Sequence, residues 1–421
     1  MLSFDETLTK EVTMKPAKHK FTLLKQVVET IDPYLVPMLA RKHGVDKRSR
    51  TFSPWSHVVS MIFAHLTHAL SLNDVCDTLQ HHRSALATIR NSLPPSRNGL
   101  SHANKVRSSE LAKDLFYETL GSLTSHFPKF GRMDTSFKLP RRIKRMVNIV
   151  DSTTIQLFAN CMNWAKHRRR KAAAKCHLML DAQTFLPRFA IVKSAASHDA
   201  VKGRVLCNHL QDGEIVIFDK AYVDFKHLFE LTHRGVTWIT RAKTNMAYKK
   251  VRNLSKKKIG NIISDSEIKL TGVNTQKAYP EKFRLIIADV LRGGKMVRME
   301  FITDNFDFAA FTICELYKAR WDIELFFKQL KQTLKLSDFL GYSENAVQWQ
   351  VWSALLTYVI LRFIAFMSKW KGTFARLFTT IRGSLWSRFD LYRLLELCGT
   401  APGQKRMCMQ PQQLYLPLFG V

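Results

Sequence analysis

Apolar positions along this chain change period, and each change marks a change of predicted structure. From Phe21 to about Phe130 they recur at helical spacing. Ser53-Pro54 opens one such run, Trp55 to Leu70, with proline suited to a first helical turn. Ser71 is placed to cap a second, Leu72 to Gln80, by accepting a backbone N–H. Pro94-Pro95-Ser96-Arg97-Asn98-Gly99 signals a loop, and a further helix is expected from about Ser101 to Leu123. Near Arg141 the pattern shifts to short apolar blocks. Met146–Val150, His177–Leu180 and Phe189–Val192 read as strands, the last two joined as a hairpin around Asp181 to Pro187. A helix at about Ala200–His209, an apolar strand Ile215–Phe218, a helix Phe225–Arg234 and a strand Val236–Arg241 follow.

Three strands, helix, strand, helix, strand is the element order of an α/β ribonuclease-H-like catalytic core, a mixed sheet with flanking helices. The stretch at about 244–298 is rich in Lys, Gly and β-formers. Ile268–Leu270 and Phe283–Ala288 suggest antiparallel strands there, so it reads as a β-rich insertion. Met299–Thr303 returns to the core, and one long helix is expected from about Phe308 to Leu336. The organisation expected is a helical N-terminal DNA-binding region (1–140), a catalytic domain (145–340) and a helical C-terminal region (341–421).

Charge changes this picture from fold to partner. Among 421 residues, 65 Lys+Arg oppose 34 Asp+Glu, leaving +31. Such an excess repels itself when compact and answers a polyanion. A membrane surface is the weaker candidate. The longest apolar stretch, Ala346 to Met367, carries Gln348, Gln350 and Arg362 and reads as a buried helix. No apolar run follows Met1 to Glu6 as a signal peptide would require. Seven scattered Cys without CxxC spacing fit reduced thiols in a cytoplasmic protein rather than a disulfide framework or zinc site. In the N-terminal region, basic residues near helix starts suit a helix-turn-helix-like reader, with Ser101 to Arg107 a groove-reading or phosphate-contacting start. Plain packing of helices explains the same pattern.

The candidate chemistry lies in three acids. Asp151 and Asp219 each end an apolar strand, and the inferred strand order sets those strands side by side. Two adjacent carboxylates repel unless a cation intervenes. Oxygen ligands suit Mg²⁺, with Mn²⁺ as substitute. Asp181 and Asp199 compete for the second role, but only Asp219 follows a four-residue apolar strand and precedes a helix; His198 reads as a loop or cap residue. The third acid lies on the long helix. At about 100° per residue, Arg320, Glu324 and Lys331 fall within roughly 60° of Tyr317, with Trp321 and Lys328 flanking. Leu316, Ala319, Ile323, Phe326, Leu330 and Leu334 form a separate apolar face. One acid among cations and aromatics suits a phosphate backbone laid over a metal-binding Glu.

Tyr317-x2-Arg320-x3-Glu324-x6-Lys331 matches the Y-x2-R-x3-E-x6-K signature, so the chain resembles the family-four insertion-sequence branch of DDE transposases. Val150-Asp151-Ser152-Thr153 and Ile217-Phe218-Asp219-Lys220-Ala221-Tyr222 look like that branch's first and second motifs. Where the branch more often has Asp-Arg-Gly-Tyr, this chain has Lys220 and Ala221, which keeps a charge but not a planar fork. The resemblance covers about 145–340 and implies a cut-and-paste DNA transposase. It implies two Mg²⁺ ions per active site, Asp151 bridging both while Asp219 and Glu324 each hold one. It implies hydrolysis at transposon ends, a hairpin intermediate and strand transfer into target DNA. Tyr317, Arg320, Lys331, Lys328, Lys220 and Tyr222 would contact DNA. Trp321 would stack on a displaced base, or else pack against the insertion. Arg241 would contact DNA near the cut, or else be a surface Arg. The partners implied are double-stranded DNA with inverted terminal repeats, target DNA and a second copy of the chain as a homodimer on DNA, with the C-terminal helices as its contact; no membrane is implied. A catalytically silent DNA-binding regulator and a host nuclease on the same scaffold are the alternatives.

Overall fold

The computed structural model describes residues 17–47, 51–130, 143–157, 166–168, 171–194, 199–255, 260–292, 294–334 and 340–399. Residues 1–16, Arg141-Arg142, His198 and the 400–421 tail lie outside the described residues.

Ten strands form one sheet: β1 (Val147–Leu157), β2 (Lys166–Arg168), β3 (Lys171–Asp181), β4 (Pro187–Ser194), β5 (Ile215–Phe218), β6 (Thr237–Arg241), β7 (Tyr248–Asn253), β8 (Ile262–Leu270), β9 (Lys282–Arg292) and β10 (Lys295–Thr303). The order is β2-β3-β1-β5-β6-β10-β9-β8-β7, with β4 also on β3. β3 is antiparallel to β1 and β4, while β1, β5 and β6 run parallel. Strands β4-β3-β1-β5-β6 thus have the arrangement expected of a ribonuclease-H-like core. β7 to β10 continue the same sheet through the antiparallel β10–β6 pairing.

Alternation along the strands decides what each face carries. Val147 and Ile149 of β1, Ile215 and Ile217 of β5, and Ile239 of β6 enter one core, together with the apolar face of the helical stretch after β10 and with both terminal helical regions. Val150, Val216, Phe218 and Trp238 enter a second core on the opposite face. Asp151, Asp219 and Arg241 share the parity of the first set, so the sheet aims all three toward the side where the Glu324 helix packs.

Several expectations need correction. Asp151 does not end its strand. β1 continues to Leu157 because β3 pairs with it along its whole length; what ends beside Asp151 is the parallel pairing to β5, at Val150↔Phe218. The 101–123 helix is two helices, Arg97–Val106 and Glu110–His126, and the first begins within the expected loop, capped by the Ser96 side chain. The break falls at Arg107, which is extended; its carbonyl accepts hydrogen bonds from Asn345 Nδ2 (2.7 Å) and Trp349 Nε1 (2.8 Å). The long helix is not uniform either. Ala310–Lys318 is α-helical, Ala319–Trp321 is a 3₁₀ turn, Asp322–Lys328 is α-helical and Gln329–Thr333 is a π turn. Such irregularities mark sites under constraint, and here they flank Glu324. Ser71 caps Leu72–His81 as expected, in a reciprocal box with Asp74.

Helix Glu344–Met367 is long and apolar enough to cross a membrane, but most of it is buried in the fold. Trp349 packs on His57 with ring centroids 4.2 Å apart, and Tyr358 donates to the Phe185 carbonyl (3.0 Å). The N-terminal helices reach the end of the irregular helical stretch directly. His65 Nδ1 lies 3.0 Å from the Leu334 carbonyl and His68 Nε2 2.6 Å from that of Thr333.

Candidate active site

Each acid is positioned by its backbone. The Ser152 amide donates to Asp151 Oδ1 (2.7 Å), and the Lys220 amide donates to Asp219 Oδ1 (2.8 Å) where Asp219 caps a 3₁₀ turn, Lys220–Tyr222. Ala221 sits within that turn, which requires no left-handed φ, so the missing glycine costs nothing. Glu324, on Asp322–Lys328, has a side chain 58% exposed.

Arg320 gathers two of the acids. Its Nη1 donates to Asp151 Oδ2 at 2.9 Å and its Nη2 to Glu324 Oε1 at 3.0 Å. Arg241 Nη2 donates to Asp219 Oδ1 at 3.0 Å. Burial pushes the Asp151 carboxyl up to about 6; the Ser152 amide and Arg320 oppose this, while the charges of Asp219 and Glu324 add to it. Burial also acts upward on Asp219, but the Arg241 hydrogen bond, the Lys220 amide and the charges of Arg241 and Arg320 outweigh it, and that carboxyl lies below the ordinary range. Arg320 is held in its charged form more firmly than usual: burial lowers its pKa, but Tyr317, Asp151, Asp219 and Glu324 together raise it. Three acids from remote parts of the chain therefore share one electrostatic neighbourhood.

The remaining candidates divide by exposure. Tyr317 is 1% exposed and packs against Phe301, with the Arg320 guanidinium 5.9 Å from its ring. Tyr222 is 3% exposed, its hydroxyl 3.2 Å from His177 Nδ1. A Cβ at Gly203 would meet the Tyr222 ring at 2.8 Å, so the glycine permits the close approach of the Asp199–Cys207 helix. Both tyrosines were expected at DNA; both rings are buried here. Lys331, half-buried in the π turn, donates to the Thr154 carbonyl of β1 (2.8 Å). Burial lowers its pKa, with Cys176 opposing. Lys220 and Lys328 are exposed, and Trp321 is half-buried beside Tyr317 and Arg320. Asp181, the competing acid, is buried and accepts the amides of Gln183 (2.8 Å) and Thr184 (3.3 Å), a turn-forming role.

The sequence reading missed that Arg320 and Arg241 face carboxylates. The four-residue step from Arg320 to Glu324 is a signal for the first contact. Nothing local signals Arg241–Asp219, which spans two strands. The oxygen donors of Asp151, Asp219 and Glu324 suit a hard dication. Among the described residues no three His, Cys, Asp or Glu side chains are gathered closely enough to hold one ion as they stand. Arginine nitrogens take the carboxylate oxygens instead.

A family model described as a transposase DDE domain matches residues 142–360. The chain belongs to that family and is a DNA transposase. A second family model, a domain of unknown function, matches residues 19–89. The chain is 28% identical over 326 residues to a protein of Sinorhizobium fredii named for a transposase, y4zB, covering 76% of this chain and 86% of that one. It is 25% identical to a Geobacillus stearothermophilus protein named for the transposase of insertion sequence element IS5377, covering 63% and 68%. It is 27% identical over 161 residues to the transposase InsG for insertion sequence element IS4 of Escherichia coli, covering 36% and 35%. Among solved structures, a piggyBac transposase synaptic complex with hairpin DNA is similar at a TM-score of 0.42 and 8% identity over 93% of this chain and 86% of that one, a likeness too loose to bear on function.

Proposed function

We propose that this transposase belongs to the family-four insertion-sequence branch, cuts DNA at the ends of an insertion element and joins the freed ends to target DNA. The observation that carries this reading is Arg320, which ties Asp151 to Glu324 within 3.0 Å while Asp219 contributes to the same field. The Tyr317-Arg320-Glu324-Lys331 spacing and the insertion-sequence relatives support the same branch.

Asp151, Asp219 and Glu324 would hold the two Mg²⁺ ions. Bound divalent ions supply activation of the attacking oxygen and stabilisation of the leaving one. The chain's own residues do the rest. Backbone amides of Ser152 and Lys220 fix Oδ1 of each aspartate, and Arg320 holds Oδ2 of Asp151. Exposed Lys220 and Lys328 offer point charges to a phosphate backbone. Lys331, tied to Thr154, keeps the π turn against β1 and so fixes the height of Glu324 over the sheet. Trp321 would stack on a base displaced as a hairpin forms. The N-terminal region to residue 140 would read inverted terminal repeats, and two copies would act together through the C-terminal helices, in association with the nucleoid. In the DNA-bound state Arg320 and Arg241 would exchange carboxylates for phosphates.

Asp151→Ala should abolish Mg²⁺-dependent cleavage of a duplex bearing the element's end and leave binding to that duplex intact. Full cleavage by this variant refutes the assignment. Binding without any cleavage by the unaltered chain favours a silent regulator.

A further inference from the structure

Arg320 is where the arrangement of the site and its chemistry conflict. Its two Nη atoms occupy Asp151 Oδ2 (2.9 Å) and Glu324 Oε1 (3.0 Å), oxygens that a divalent ion also needs. A dication and a guanidinium brought to the same pair of carboxylates repel each other, so the two occupants exclude one another.

Four features set this arginine apart from one that merely holds the fold. Its fork is divided between acids on two elements rather than closed side-on upon one. Its buried Nε finds no hydrogen-bond partner among the described residues. Its guanidinium lies 5.9 Å from the Tyr317 ring and 5.6 Å from the Trp321 ring, an aromatic surface on which it can turn without losing contact. The bond to Glu324 is its open side, since that carboxylate is largely exposed. Phosphate is the ligand best matched to a guanidinium that gives up its carboxylates, and DNA is the substrate that brings it.

We propose that Arg320 is a resident counter-ion that occupies Asp151 and Glu324 in the DNA-free protein and yields them to divalent ions only when a DNA phosphate takes its guanidinium. DNA binding and ion loading are then coupled through one side chain. The transposase does not assemble a loaded nuclease site away from DNA. Arg320 acts through the two acids and is in this respect a positioning residue. The inference rests on the active-site reading above. By reciprocity, ion loading must strengthen DNA binding by the same factor as DNA strengthens ion binding.

The test is Mn²⁺ binding by the full-length protein, followed by the free-ion paramagnetic resonance signal, with and without a short DNA duplex. For the unaltered chain, DNA should tighten Mn²⁺ binding about tenfold, within the usual range of coupling between sites. Arg320→Gln should bind Mn²⁺ about tenfold more tightly without DNA and gain nothing further when DNA is added. Arg320→Lys, whose ammonium reaches one carboxylate at a time, should lie between the two. Equal Mn²⁺ affinity of Arg320→Gln and the unaltered chain, or an equal gain from DNA in both, overturns the proposal. If circular dichroism shows Arg320→Gln unfolded, Arg320→Lys decides alone: tighter binding than the unaltered chain supports the proposal, and unchanged binding overturns it. Asp151→Asn with Asp219→Asn, added to Arg320→Gln, must abolish Mn²⁺ binding. Persistent binding there places the ions elsewhere and sinks the active-site reading together with the proposal. Loss of binding there, without an effect of Arg320→Gln alone, sinks only the proposal.

Discussion

Arg284 and Arg320 are both buried arginines beside carboxylates, and they are bonded in opposite ways. Arg284 closes side-on upon Asp265, Nε to Oδ1 at 2.8 Å and Nη2 to Oδ2 at 2.7 Å. Its Nη1 completes the set with the carbonyls of Asn305 (3.2 Å) and Phe308 (2.6 Å). Both side chains are under a tenth exposed. This pair joins β8 and β9 to the turn from which the helical stretch begins. His65 and His68 secure the far end of that stretch, at Leu334 and Thr333. Between these anchors Arg320 divides its fork, and its Nε has no hydrogen-bond partner among the described residues. Saturated bonding fixes a geometry; unsaturated bonding of the same chemical group allows exchange of partners. Glu324 is thus carried on an element tied down at both ends and adjustable in the middle.

The largest effect should come from the saturated pair. Asp265→Ala leaves the Arg284 guanidinium buried without its counter-charge, and urea unfolding should show a loss of about 3–5 kcal/mol. A loss under about 1 kcal/mol would erase the contrast. Acid should weaken the far anchor next. Burial depresses His65 to about 4, against the favourable Leu334 and Gln350 carbonyls, and depresses His57 to about 3, aided by the charge of Arg107. Both folded values lie below the ordinary 6.5. The neutral rings therefore contribute fully above about pH 6.5, and that contribution is lost as pH falls toward 4 and then 3. Unfolding midpoints measured from pH 7 to 4 should decline by the equivalent of a few kcal/mol. His65→Leu should lower stability by about 1–3 kcal/mol, by leaving the carbonyls it faces unpaired, and should flatten the pH dependence. Unchanged pH dependence would show that His65 is not a titrating part of the anchor. The smallest effect on stability should come from the centre. Asp151→Asn removes a carboxylate whose ionised form is already disfavoured by burial, so the midpoint should move by less than about 1 kcal/mol in either direction while cleavage is lost. A loss as large as that of Asp265→Ala would make Arg320 a structural residue after all.

The legible parts of this molecule were those encoded by neighbouring residues. Ser71 and Asp74 announce a helix start by their three-residue spacing, and the structure forms that box. Ile215–Phe218 followed by Asp219 reads as a buried strand with an acid at its end, and that strand has those bounds. The period of Leu316, Ile323, Phe326 and Leu330 picks out residues that are indeed buried. Less legible was everything set by a partner distant in the chain. Tyr317 shares the stripe of Arg320 and Glu324 on a regular helix, yet lies in the core, because the helix tightens at Ala319–Trp321 and loosens at Gln329–Thr333. β1 runs on past Asp151 because β3 is there to pair with it. The break at Arg107 follows from Asn345 and Trp349, more than two hundred residues away.

The sequence alone therefore determined which elements carry the candidate residues, since periodicity, capping and the spacing of the helix signature are short-range properties of the covalent chain. The direction in which the charged side chains point was decided only by the tertiary structure. A guanidinium between a carboxylate and a phosphate obeys the same electrostatics toward either. Which one it meets depends on the fold placing Asp151 of β1 and Glu324 of a helix on one side of one sheet, 2.9 and 3.0 Å from Arg320.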